Sequence, residues 1–132
     1  PARVGLGMSA LSEHIARRAD HEAIVAARRR NWFLLLGRLR DRAAPPFAEL
    51  PPGVSPLFFP LPCRDKSAVK ARLAARGIET VDFWRTGHPS CDPARFPEVA
   101  ALREQILEIP CHQDLGPEDM AWVARCVQEA LS

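Results

Sequence analysis

Residues Arg95–Met120, RFPEVAALREQILEIPCHQDLGPEDM, read as a helix, a short strand, a tight polar loop and the start of a second helix. Phe96-Pro97 opens the first helix, because proline suits the first helical position. Ile106-Leu107-Glu108-Ile109 is short, rich in β-branched residues and apolar. Pro110 stops it, which fits a buried strand. Cys111-His112-Gln113-Asp114 is the polar loop. Gly116-Pro117-Glu118-Asp119 starts the last helix, with proline and two acids at the positive end of its dipole. That helix runs over about 117–131, with Met120, Val123, Val127 and Ala130 inward and Trp122 and Cys126 flanking them.

Earlier in the chain, Met8, Leu11 and Ile15 share one side of a short helix over 9–19, with Ser9 or Ser12 as cap. Asp20 is the expected N-cap of a long helix to about Arg42. Its apolar stripe is Ile24, Val25, Trp32, Leu35, Leu36 and Leu39. Arg28-Arg29-Arg30 can be read as an anion patch, but a solvated face with arginine stems over the core accounts for it more simply. Ala44–Ser55, with Pro45-Pro46 and Pro51-Pro52-Gly53, is a loop, too short to serve as a linker between separate domains. Leu57–Leu61 is a strand candidate. Pro60 and Pro62 give it no amide donors, which predicts an edge position or an early end. Asp65 caps a helix to about Arg76, with Val69 and Leu73 inward, and Gly77 stops it. Ile78–Phe83 is the remaining strand, with Ile78, Thr80 and Asp82 on one face. The expected fold is α+β: one domain, 1–132, with a small three-stranded, mostly antiparallel sheet covered by helices in the order ααβαβαβα.

The chain of 132 residues is long enough for one core. Its 18 basic and 16 acidic residues leave +2, too little to call for a nucleic acid or a membrane. No apolar run has membrane-spanning length, and residues 1–14 lack the apolar segment of a signal peptide. The sequence begins at proline, so a processed, trimmed or partial chain is expected. Four cysteines, at 63, 91, 111 and 126, include no C-x-x-C pair. A reduced, cytoplasmic protein with cysteines as small apolar fillers is the expectation.

Chemistry-bearing residues gather in Trp84–Pro93, WRTGHPSCDP, the most site-like loop. His88, Cys91, Cys111 and His112 could serve zinc, but their spacing is not a zinc-site spacing. A Cys–His nucleophile, with Asp92 or Asp114 to orient the base, can be drawn from the same residues only on paper. Gly5-Leu6-Gly7 lacks the further glycine or lysine of a phosphate-binding loop. Lys66 and Lys70, the two lysines, read as surface residues on a polar helix.

Three groups of residues carry a resemblance. Arg28-Arg29-x-Asn31 lies in the long helix. Leu73-Ala74-Ala75-Arg76-Gly77-Ile78 makes an L-x-x-x-G-I turn from helix to strand. Phe96-Pro97-x-x-Ala100-x-Leu102, Ile109-Pro110-Cys111-His112-x-x-Leu115 and Glu118-Asp119-x-x-x-Val123 close the chain. From about Asp20 onward the sequence resembles the C-terminal small domain of the DegT/StrS-type, pyridoxal-phosphate-dependent sugar aminotransferases. The resemblance implies a parent enzyme that moves an amino group to a keto-sugar nucleotide. It implies a cofactor lysine in an upstream large domain, and therefore no catalytic or cofactor-binding residue here. It also implies that large domain as a partner, and a homodimer. Trp84, Arg85 and His88, with His112, are the candidates for facing substrate, and arginine suits a nucleotide-sugar phosphate. The alternative is a stand-alone, non-catalytic binding module of the same fold.

Overall fold

The computed structural model describes residues 7–43, 47–82, 86–88 and 90–132. Helix α1 (Ala10–Arg18) is capped by Ser9, whose hydroxyl accepts the Ser12 amide at 3.1 Å. Helix α2 (His21–Leu39) starts where Asp20 accepts the Ala23 amide at 2.9 Å, as a side-chain cap should. It tightens into a 3₁₀ turn at Arg40–Arg42. Strand β1 (Phe58–Pro62) follows, then α3 (Lys66–Ala74), capped by Asp65. Next come α4 (Pro97–Gln105), β2 (Ile106–Pro110) and α5 (Pro117–Leu131).

Gly77 ends α3 as expected, at φ +76°. The Ile78 amide reaches the Leu73 carbonyl and the Gly77 amide the Ala74 carbonyl, both at 3.0 Å. This is the paired closure of a Schellman turn, with glycine in its left-handed position and Leu73 and Ile78 both buried beside it.

The sheet has two strands among the described residues, not the three expected. β1 and β2 are antiparallel, with Phe59 opposite Ile109 and Leu61 opposite Leu107. Proline placement sets this register. Pro60 faces Glu108, Pro62 faces Ile106 and Pro110 faces Phe58. All three are pairs that exchange no hydrogen bonds, the only kind in which a proline fits. The exchanging positions fall between them, and the Cys63 amide continues the series to the Gln105 carbonyl at 2.7 Å. On the far edge of β2, Glu108 exchanges both backbone bonds with Val81, at 3.1 and 3.3 Å. The third strand shrinks to that one bridge because Pro110 has no amide hydrogen for the Glu79 carbonyl. The other end, at Phe83, lies outside the described residues. The expected alternation holds: Ile78 and Thr80 are buried and Val81 is half exposed.

One sheet face, carrying Phe59, Leu61, Leu107 and Ile109, packs into a single core. Trp32, Leu35 and Leu39 of α2, Leu73 of α3, and Met120, Val123 and Val127 of α5 complete it. Each such aliphatic or aromatic side chain contributes roughly 1.5–3 kcal/mol by leaving water. Helix α4 contacts β1 but buries none of its own side chains, and neither does α1. Met8, Leu11 and Ile15 are 60–70% exposed. Among the described residues no helix is long and apolar enough to cross a membrane.

Candidate functional site

Asn31 is the one fully buried polar side chain of α2. Its Nδ2 donates to the carbonyls of His112 at 2.7 Å and Leu115 at 2.9 Å, and its Oδ1 accepts from the Arg30 guanidinium. Arg28 donates to Gln113 Oε1 at 2.8 Å and to the carbonyls of Pro56 and Leu57. Arg29 donates to the carbonyls of Pro51 and Val54. The three arginines are therefore neither an anion patch nor a plain solvated face. They and Asn31 fasten the 50–57 and 112–115 loops to α2. The sequence held a signal for this: Asn31 lies on the same helical side as Leu35 and Leu39, where a polar residue needs a buried partner.

Of the residues expected to face substrate, Trp84 and Arg85 lie outside the described residues. His88 and His112 line different cavities. His112 borders a groove of about 360 Å³ with Glu79, Asp114, Asp119 and Trp122. Its Nδ1 lies 3.2 Å from Asp114 Oδ2, and both side chains are exposed, so their pairing is worth little. His88 borders a cavity of about 570 Å³ between the 86–93 loop and α4, together with Cys91, Phe96, Val99 and Arg103. Its Nδ1 accepts the Ser90 amide at 3.2 Å and lies 2.6 Å from the Ser90 hydroxyl. A backbone N–H can only donate, so in the neutral ring the proton belongs on Nε2.

The cysteines divide by burial. Cys63, Cys111 and Cys126 are buried and Cys91 is exposed, and none forms a disulfide. Burial pushes the Cys63 and Cys111 thiols up to about 11, so neither supplies a thiolate nucleophile near neutral pH. The His88 ring bonds Ser90 rather than Cys91. Among the described residues no three His, Cys, Asp or Glu side chains converge as metal ligands.

Lys66 is not the surface residue its sequence setting implied. Its side chain is only 10% exposed, and Nζ lies 2.6 Å from Asp82 Oδ1 and 2.6 Å from the Arg103 carbonyl. It ties the start of α3 to the end of α4 and to the Val81 bridge. An amine already engaged by a carboxylate and a backbone carbonyl is not free to act as a Schiff-base nucleophile. Lys70 is exposed on α3. Lys66, already engaged, and Lys70, exposed to solvent, do not fit as holders of pyridoxal phosphate.

No protein-family model and no curated protein matches the sequence. A solved structure does: the crystal structure of a DegT DnrJ EryC1 StrS aminotransferase from Brucella abortus, at TM-score 0.69 and 21% identity over 84% of this chain. The chain shares its fold with a portion of that aminotransferase. It spans 32% of the solved chain's length. The resemblance read from the ordered motifs is thus borne out in fold, and the motifs themselves meet in space. Asn31 and Arg28 of the helical motif bond the loop that contains His112 and Leu115 of the closing motif.

Proposed function

We propose that the chain is the C-terminal small domain of a sugar-aminotransferase-like protein of the DegT/StrS type. In the whole protein an amino group passes to a keto-sugar nucleotide, and pyridoxal phosphate is held by a lysine of a separate large domain. These 132 residues are not catalytic by themselves. They close over substrate and pack against the large domain in a cytoplasmic homodimer. The shared fold, spanning most of this chain and about a third of the solved aminotransferase, is the observation that carries the reading. The engaged Lys66 and the exposed Lys70 support a cofactor site elsewhere. Exposed apolar residues support it too: Met8, Leu11 and Ile15 in and just before α1, and Phe96, Val99 and Leu102 in and just before α4. A stand-alone binding module would be expected to carry polar residues there.

Trp84, Arg85 and His88 are proposed to face the substrate, with His112 as a weaker candidate. The test is amino transfer by the whole gene product, with glutamate and a keto-sugar nucleotide as substrates. Arg85→Ala and His88→Ala are expected to raise KM for the nucleotide sugar and to leave cofactor content unchanged. A whole protein that holds no pyridoxal phosphate, or variants with unaltered kinetics, would overturn the assignment.

A further inference from the structure

The cavity beside His88 has a second feature that the aminotransferase reading does not use. Arg103 sits in the last turn of α4, four residues after Val99, so both occupy one side of the helix. Its guanidinium is part-buried, its Nε makes no hydrogen bond, and it forms no ion pair with any described residue. Gly87 lies against it so closely that a Cβ there would collide with the guanidinium. A part-buried guanidinium ordinarily has an acceptor, because it carries five donors and a charge that is costly to strip of water. The same cavity is walled by Phe96, Val99 and Ala100. His88 adds a ring nitrogen that carries hydrogen in the neutral form. Asp92 and Glu104 also line the wall. Asp92 Oδ1 is engaged by the Ala94 amide. The two carboxylates disfavour a doubly charged ligand and leave room for a singly charged one.

We propose that this cavity is a binding site for a small carboxylate bearing an apolar group, with Arg103 taking the carboxylate and Phe96 and Val99 the apolar group. An arginine fork matches a carboxylate's two oxygens, and the pairing is among the stronger charge-assisted hydrogen bonds. Gly87 leaves the guanidinium uncovered by any side chain at that position. The cavity shares His88 with the residues proposed to face substrate, but the inference rests on Arg103, Phe96 and Val99 and not on the aminotransferase assignment.

The test is NMR titration of the 132-residue chain with benzoate, following the Arg103 Nε–H cross-peak, with acetate and phenyl phosphate as comparison probes. Benzoate is expected to shift that peak saturably. Acetate should bind more weakly for want of the apolar contact, and phenyl phosphate more weakly for its second charge. Arg103→Gln is expected to weaken benzoate binding by about tenfold or more, the scale of one charge-assisted hydrogen bond. Arg76→Gln, in the turn after α3 and bordering a different groove, should change nothing. Gly87→Ala tests the same site without altering charge and should weaken binding by crowding the guanidinium. Absence of a saturable shift in the wild-type chain, benzoate binding unchanged in Arg103→Gln, or tighter binding of phenyl phosphate would each overturn the proposal.

Discussion

Replacing Asn31 by alanine tests the link between α2 and the 112–115 loop. Both bonds to the loop vanish, from Nδ2 to the carbonyls of His112 and Leu115, while the exposed Arg30 guanidinium exchanges its bonds to Oδ1 for water. Neither carbonyl is orphaned. The His112 carbonyl keeps the Leu115 amide at 3.2 Å, and the Leu115 carbonyl keeps the Arg30 guanidinium at 3.2 Å. The cost is therefore mainly the net value of the two loop bonds, about 2 kcal/mol, rather than the larger penalty of buried unpaired acceptors, and the exposed Arg30 bonds add little. For a chain of this size that corresponds to a fall in Tm of about 7 °C. Asn31→Asp should cost at least as much, because a carboxylate then faces two carbonyl oxygens with no hydrogen to offer. The assay is urea unfolding followed by far-ultraviolet circular dichroism at neutral pH. The expected signature is a lower midpoint with an unchanged slope. A loss below about 0.5 kcal/mol for Asn31→Ala would refute the claim that this side chain fastens the loop.

Arg28→Ala should be less than additive with Asn31→Ala in the same assay, since both side chains hold one loop. Gly77→Ala, at a φ of +76°, is expected to cost about 1 kcal/mol through strain in the Schellman turn, measurable as a shift in unfolding midpoint. Thiol labelling of the native chain at neutral pH should modify Cys91 rapidly and Cys63 and Cys111 only on unfolding. The two buried thiols also set a pH dependence. Their folded pKa lies above the ordinary 9.0, so the stability they contribute is complete below pH 9 and is lost as pH rises toward about 11. Unfolding midpoints measured between pH 8 and 11 should fall across that window, and Cys63→Ala with Cys111→Ala should flatten the fall.

Much of the fold was legible in local chemistry. Ser9, Asp20 and Asp65 cap helices because their side chains satisfy amides the helix leaves unpaired, and Gly77 ends one because it alone tolerates the turn's positive φ. Pro60 and Pro62 announced an edge strand for want of donors. The third strand misled because alternation describes only which residues are buried, and over Ile78–Val81 it does so correctly. A ladder also needs donors on the neighbouring strand, and Pro110 supplies none. Lys66 and Arg28–Arg30 misled for a related reason. Whether a long cation is solvated depends on which carbonyls or carboxylates the tertiary fold brings to it, and Asp82, Arg103, Pro51 and Val54 are remote in sequence. The candidate site was legible only as a loop rich in reactive residue types. His88 proved to line a cavity with Arg103, whose place on the apolar side of α4 beside Val99 was the available signal. His112 proved to belong to a different groove.

The central claim is that these residues work as one domain of a larger aminotransferase-like protein. The most direct measurement is the mass of the native gene product in source-cell extract, detected with an antibody raised to this domain. A band several-fold heavier than 14.7 kDa, carrying pyridoxal phosphate on a lysine outside residues 1–132, is the predicted result. A band near 14.7 kDa would contradict the account, because a chain of that size has neither lysine in a setting that fits the cofactor.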